Sequence, residues 1–286
     1  MIQKRKLVSQ ALVFAVLALA TTSLQVQAQS LAVTHCQGEC PQYASQLSAN
    51  RSNVVIHHLY AAGINGKTGI PDWSAYRLTR DAVGVASLLP RTWRPDRLIE
   101  FSPLEDIVVA DAGEAELRLS ETISVSSNPY AGGGARMVEP EDRARLAPMT
   151  SFANTPYWSD LNNFSNMVPM PAPLRLGPWL RLEQRLNRLA VEREELYVIT
   201  GPLYVIANLS VAPSSEDLNP SAYYKLVIDG SSVVSFVFPE SLSQSDRYCS
   251  YTANYQEIEQ MVDLKFFPGR ASMKPSAELL DALGCS

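Results

Sequence analysis

The sequence predicts an α+β fold in a single domain. Three observations lead there: five β-rich runs spread over both halves, one strongly amphipathic stretch between them, and no Gly/Ser- or Pro-rich linker dividing the chain. With 286 residues, 46% apolar and 19% charged, the chain can bury a sizeable core, which excludes disordered and fibrous classes. No internal repeat is visible.

Residues 1–28 read as a secretory signal peptide. Lys4, Arg5 and Lys6 precede an apolar run from Ala11 to Ala20, and Val26-Gln27-Ala28 has the small-x-small form of a cleavage site. The run is too short to span a bilayer well, and no later stretch is long and apolar enough to do so. The expected mature chain, 29–286, is secreted or periplasmic. The signal carries three basic residues and no acidic ones, so the mature chain has 21 basic against 29 acidic groups, net −8. A generally basic nucleic-acid coat is excluded; a local basic patch is not.

In an oxidising compartment the four cysteines read most simply as two disulfides, although four cysteines allow three pairings. Cys36–Cys40 would pin a short N-terminal loop, and Cys249–Cys285 would tie down the C-terminal tail. A zinc half-site at Cys36 and Cys40 lacks a second ligand pair at suitable spacing.

Alternating or β-rich patterns predict strands over Asn53–Tyr60, Trp73–Thr79, Glu195–Ala207, Tyr223–Ile228 and Ser232–Phe238. Helical spacing is clearest over Pro178–Glu195, where Trp179, Leu182, Leu186 and Leu189 share a face and Pro178 suits a first turn. A weaker helix is expected over Tyr255–Met261. Asn128–Gly134 (NPYAGGG) reads as a loop.

Chemistry-bearing residues concentrate in the middle of the chain. From Arg143 to Arg193 there are seven arginines against three carboxylates, inside an otherwise acidic protein. Arg181, Arg185 and Arg188 recur at helical spacing away from the apolar face, either as a solvated stripe or as a phosphate-tracking ridge. The only histidines are His35, His57 and His58, too few for a site built on several histidine metal ligands.

Motifs in order along the chain resemble one family. They are Cys36-x-x-x-Cys40-Pro41, Val55–Tyr60, Asp72-Trp73-Ser74-Ala75-Tyr76 and Arg91-Thr92-Trp93. Next come Glu141–Glu183, Thr200-Gly201-Pro202-Leu203-Tyr204, Pro220–Lys225 and Cys249 with the Gly284-Cys285 tail. The chain resembles the sugar-nonspecific DNA/RNA endonucleases of the Serratia nuclease type. That resemblance implies an antiparallel sheet core flanked by helices, a ββα-metal site, Mg²⁺ as cofactor, DNA or RNA as partner, and a possible homodimer.

The family motif is Asp-Arg-Gly-His followed by Ala-Pro, its His serving as general base. Asp142, Arg143, Ala147 and Pro148 match it; Ala144 replaces the Gly, and Arg145 stands where the catalytic His is expected. Asn166 matches a turn asparagine, and Glu183 matches a glutamate that holds metal-bound water. Arg175 occupies the place of the Mg²⁺-ligating Asn. Arg91 matches a phosphate-contacting arginine, with Arg143 and Arg175 as further phosphate-binding candidates, whereas a helix arginine of the family is Asn187 here, with Arg188 beside it.

A guanidinium cannot accept a proton near neutral pH and has no lone pair for a metal ion. Mg²⁺ binding is therefore expected to be weak or absent. Arg145 and Arg175 would return positive charge to the phosphate site, unless Arg175 pairs with Glu183 and Arg145 with Asp142 or Glu141. Three function classes follow. The first is a nuclease with rearranged chemistry using Glu183 as base. The second is a silent nuclease fold that binds nucleic acid or another polyanion through Arg91, Arg143, Arg145 and Arg175. The third is an interaction protein with a cleft closed by internal salt bridges.

Overall fold

A long central sheet carries the architecture. The structure is a computed structural model, described over residues 32–45, 52–65, 69–99, 142–204, 220–270 and 273–285. The expected signal peptide, the Asn128–Gly134 loop and Glu141 lie outside these residues. Three short strands, β1 (Ala32–Val33), β2 (Gly38–Glu39) and β3 (Gln42–Tyr43), flank the Cys36–Cys40 disulfide.

The sheet is built from β4 (Ser52–Ile56), β5 (Ala61–Asn65), β6 (Pro71–Thr79), β9 (Glu195–Leu203), β10 (Ala222–Asp229), β11 (Ser232–Pro239), β12 (Thr252–Ala253) and β14 (Lys274–Pro275). A separate hairpin pairs β7 (Arg143–Arg145) with β8 (Met167–Pro169), and β13 (Leu264–Lys265) pairs with β3. Sheet order is β12-β11-β10-β9-β6-β5-β4, all antiparallel, with β14 joining β11 in parallel. Helices are α1 (Ala172–Leu174), α2 (Leu180–Arg193), α3 (Tyr255–Val262) and α4 (Ala277–Ala282). None is long and apolar enough to cross a membrane.

The period of two along each strand sends side chains to two separate cores. On one face Tyr76, Leu78, Val198, Tyr223 and Val227 pack with Trp179, Leu182, Leu186 and Leu189 of the α2 region. On the other, Trp73, Ala75, Ile199, Tyr224 and Leu226 pack with Ile258, Leu264 and Phe266. Strand β10 is covered on both faces, which is why it reads as a nearly continuous apolar run.

Several expected boundaries move. The run expected over Asn53–Tyr60 stops at Ile56, and a separate strand starts at Ala61, because the His57 N–H to Tyr60 carbonyl bond (2.8 Å) closes a turn. His57 and His58 therefore do not alternate on a strand. Strand β9 ends at Leu203; Val205 to Ala207, expected to continue it, lie outside the described residues. Pro178 does not start α2. It sits in a π-type turn, Arg175–Trp179, whose irregular residue is Gly177. A Cβ on Gly177 would come within 2.7 Å of the Gln244 backbone, so glycine is what lets the 244 loop close over this turn.

The arginine stripe on α2 also has a different use. Arg181 donates to the carbonyls of Gln244 and Asp246, and Arg185 donates to the Ala282 carbonyl. Arg181 thus ties α2 to the 244–246 loop and Arg185 ties it to the C-terminal segment, so no three-arginine phosphate ridge forms. Both disulfides are present, Cys36–Cys40 and Cys249–Cys285, and no described cysteine is free.

Candidate functional site

The segment from β7 through α2 carries Arg143, Arg145, Asn166, Arg175 and Glu183, and Arg91 comes from an earlier segment. Strand alternation places Arg143 and Arg145 on one side of β7 and Ala144 on the other; Arg143 is buried like Ala144, with 7% of its surface exposed, whereas Arg145 is half-buried. Arg143 lies opposite Pro169, and Arg145 opposite Met167. Arg175 opens the π-type turn that follows α1.

Arg145 is held by neutral partners. Its Nη2 donates to Asn162 Oδ1 at 2.5 Å and to the Arg91 carbonyl at 3.3 Å, and its Nε donates to the Leu161 carbonyl at 3.2 Å. The guanidinium lies 4.2 Å above the Trp93 ring. Neither Asp142 nor any other described carboxylate pairs with it. Burial first, then the charges of Arg91 and Arg175, lower its pKa to about 10. It still remains cationic at neutral pH.

Arg175 belongs to the same charge cluster. Burial lowers its pKa, the charges of Asp142 and Glu183 oppose that shift, and the Arg91 charge adds to it. Arg91, Arg145 and Arg175 thus act on one another as like charges. Among the described residues, no hydrogen bond engages Nη1 of Arg145.

Asn166 is fully buried and committed internally. Its Oδ1 accepts from Ala147 N–H (2.8 Å), and its Nδ2 donates to the Ala147 and Leu161 carbonyls (3.0 and 3.1 Å). It shapes the loop after β7 and presents no free amide. Asn187 is likewise buried and bonds Ser151 and Thr150, while Arg188 is exposed.

Glu183 has a partner that sequence reasoning missed. Lys225 Nζ lies 3.0 Å from Glu183 Oε1 and 3.8 Å over the Trp179 ring. Burial pushes the Glu183 carboxyl up and the Lys225 ammonium down, each opposed by the other's charge. The available signal was the lone lysine in Tyr223-Tyr224-Lys225-Leu226-Val227, since a lysine inside a buried strand requires a counter-charge. Asn162 and Trp93, the supports of Arg145, were also missed. Only their position beside the motif hinted at them.

The histidines take other partners. His57 Nε2 meets Asp96 Oδ2 at 2.7 Å, His58 Nδ1 meets Asp160 Oδ2 at 2.9 Å, and buried His35 donates to the His57 carbonyl. Among the described residues no group of three or more His, Cys, Asp or Glu side chains is arranged to hold a metal.

Comparison with known proteins decides the family. The DNA/RNA non-specific endonuclease family model matches residues 41–273, most of the chain. The chain belongs to the DNA/RNA non-specific endonuclease family. A curated relative is the nuclease of Serratia marcescens, 28% identical over 279 residues, covering 91% of this chain and 93% of the relative. Human mitochondrial nuclease EXOG is 25% identical over 166 residues, 51% of this chain and 44% of that protein. Among solved structures, a chain of the EndoG/EndoGI complex aligns with a TM-score of 0.55 over 76% of this chain and 86% of that one. Its 19% identity makes that a likeness of fold. In this chain the β7–β8 hairpin is followed by α2, the order of elements that a ββα arrangement requires.

Proposed function

We propose that this protein is an exported, nuclease-fold binder of nucleic acid that holds phosphodiesters on Arg91, Arg145 and Arg175 without hydrolysing them, with Arg143, buried on the same side of β7 as Arg145, adding its charge from inside. The supporting observation is that the like charges of Arg91, Arg145 and Arg175 act on one another at one place, opposed at Arg175 by Asp142 and Glu183, and that among the described residues Arg145 is anchored by neutral acceptors. A phosphate would relieve that repulsion, and the guanidinium fork suits its oxygens.

The family's hydrolytic chemistry lacks its parts in this reading. The Mg²⁺ of the family does not fit the donors present. Asn162 Oδ1 takes Arg145, Asn166 Oδ1 takes Ala147 N–H, Glu183 takes Lys225, and a guanidinium supplies no lone pair. Glu183 is a poor substitute base, because its carboxylate is already neutralised inside the protein by a buried ammonium. Residues 1–28 would direct export, and 29–286 would form one nuclease-like domain stabilised by the two disulfides.

The test pairs binding with cleavage. Purified mature protein is titrated into fluorescein-labelled DNA and RNA oligonucleotides in EDTA across a salt series. In parallel it is incubated with supercoiled plasmid and Mg²⁺, beside Arg145→His/Arg175→Asn. Expected are metal-independent binding that weakens steeply with salt, and no nicking by the wild type. EDTA-sensitive nicking by the wild type would overturn the proposal, as would the absence of binding at low salt; the latter leaves the interaction-protein class.

A further inference from the structure

Beside the arginine cluster lies a cavity of about 610 Å³ that none of the chemistry above uses; its walls include His57, His58, Arg94, Asp96, Arg97 and Asn163. Both of its carboxylates are already satisfied. Asp96, with no exposed side-chain surface, takes His57 Nε2 at 2.7 Å, the Ser165 hydroxyl, and the Leu98 N–H at 2.9 Å. Tyr60 OH in turn bonds Ser165 Oγ at 2.7 Å. Asp160 takes His58 Nδ1 at 2.9 Å and Arg94 Nη2 at 3.4 Å. Asp96 is therefore spent inward, Asp160 is met at the surface by Arg94 and His58, and Arg97 adds a further cation on the exposed wall.

One lining residue, His58, belongs to a flat aromatic stack. The His58 ring stacks on Tyr157 with centroids 3.9 Å apart and planes within 2°, and 61% of the His58 side chain is exposed. Tyr157 is exposed too. An imidazole–phenol stack of this kind offers outward π-faces to a further ring.

The cavity and the arginine cluster share their walls through consecutive residues. Trp93 lies under Arg145, and the next residue, Arg94, lines the cavity. Asn162 accepts from Arg145, and the next residue, Asn163, accepts from Arg94 Nε at 2.7 Å. Backbone bonds fasten the two segments: Arg94 N–H to the Asn162 carbonyl and Phe164 N–H to the Arg94 carbonyl, both 3.0 Å.

We propose that this cavity is a subsite for one unpaired nucleotide, its base stacking on the His58–Tyr157 pair and its phosphate meeting Arg94 and Arg97. The assignment rests on the nucleic-acid-binding reading of the arginine cluster and extends it, since it makes single strands the preferred ligand. A base in a duplex has both faces covered by its neighbours, whereas an unpaired base can stack on protein rings irrespective of sequence.

Two measurements test this. In the first, anisotropy titrations compare single-stranded and duplex DNA and RNA on the wild type, His58→Ala, Tyr157→Ala, Arg97→Ala and, for the cluster, Arg175→Ala. Loss of one stacking face is expected to weaken single-strand binding about tenfold and leave duplex binding unchanged. Arg175→Ala should weaken both. The DNA and RNA arms show which sugar the subsite accepts.

In the second, the proton NMR signals of the three histidine rings are followed during titration with uridine or deoxycytidine 5′-monophosphate, His58 being assigned from His58→Gln. Ring-current shifts at His58, with His35 unmoved, support the subsite. Histidine signals that stay fixed, together with unaltered single-strand affinity of the rim variants, would overturn it. Mononucleotide shifts at His58 without oligonucleotide binding would keep the subsite and reject the arginine-cluster reading. Oligonucleotide binding indifferent to His58 and Tyr157 would do the reverse.

Discussion

The Lys225 ammonium and the Glu183 carboxylate meet at 3.0 Å in the interior, with 0% and 8% of their side chains exposed. The pair joins β10, an inner strand of the sheet, to the helix that frames the arginine cluster. Removing one partner leaves an uncompensated buried charge, which costs about 3–5 kcal/mol, whereas replacing both by apolar groups can be nearly neutral. Lys225→Met is therefore expected to lower the urea-unfolding free energy by about that amount, and Lys225→Met/Glu183→Leu to regain most of it. Equal losses in the single and double variants would show that the two side chains act independently.

Arg145 depends on its fork and its aromatic bed. Its Nη2 serves two acceptors while the guanidinium plane lies over Trp93, a geometry that lysine's compact ammonium cannot reproduce. Arg145→Lys is expected to weaken oligonucleotide binding several-fold despite the conserved charge, and Trp93→Ala to weaken it by a similar factor. Wild-type affinity in Arg145→Lys would mean that only charge matters at this position. The salt dependence checks this from another side, since losing one phosphate contact should lower the single-strand slope by about 0.7.

Asn166 makes three internal hydrogen bonds with no exposed surface. Asn166→Ala orphans the Ala147 N–H and two carbonyls, at about 1–3 kcal/mol for each group left without a partner. A large fall in the urea midpoint is expected. Loss of nucleic-acid affinity with unchanged stability would instead place Asn166 in contact with ligand.

Asp72 supplies a pH dependence. Its carboxylate accepts from Tyr43 OH at 2.9 Å and Asn65 Nδ2 at 3.3 Å, yet burial outweighs both bonds and raises its pKa from 3.8 to about 6. Between these values the folded protein keeps a proton that the unfolded chain has lost. The group's stabilising contribution is therefore complete below about pH 4 and disappears as pH rises through about 6. Thermal melts should show this as a melting temperature a few degrees higher near pH 5 than near pH 7, with Asp72→Asn flattening that difference. A wild-type profile identical to that of Asp72→Asn would refute the shift.

Much of the fold was legible because it follows local periodicity. The strands over Trp73–Thr79, Tyr223–Ile228 and Ser232–Phe238 and the apolar face of α2 appear within a residue or two of their expected ends. Strand β5 was not legible, since Ala61-Ala62-Gly63 has low β propensity and pairs only because β4 and β6 flank it. The start of α2 was misplaced because the π-type turn depends on Gly177 packing against Gln244, 67 positions away in the chain. The arginines of the site were legible by type and spacing; their supports were not.

The sequence by itself determined the family, the α+β class and the presence of arginine at positions 145 and 175, because order, period and residue identity are local properties of the chain. Only the tertiary structure decided which charges are spent inside and which are left facing outward. Lys225 takes Glu183, the carbonyls of Gln244, Asp246 and Ala282 take Arg181 and Arg185, and Arg145 stays with neutral acceptors beside two other cations. Those partnerships join residues roughly 20 to 100 positions apart. Their strength comes from burial, which only the packed chain supplies.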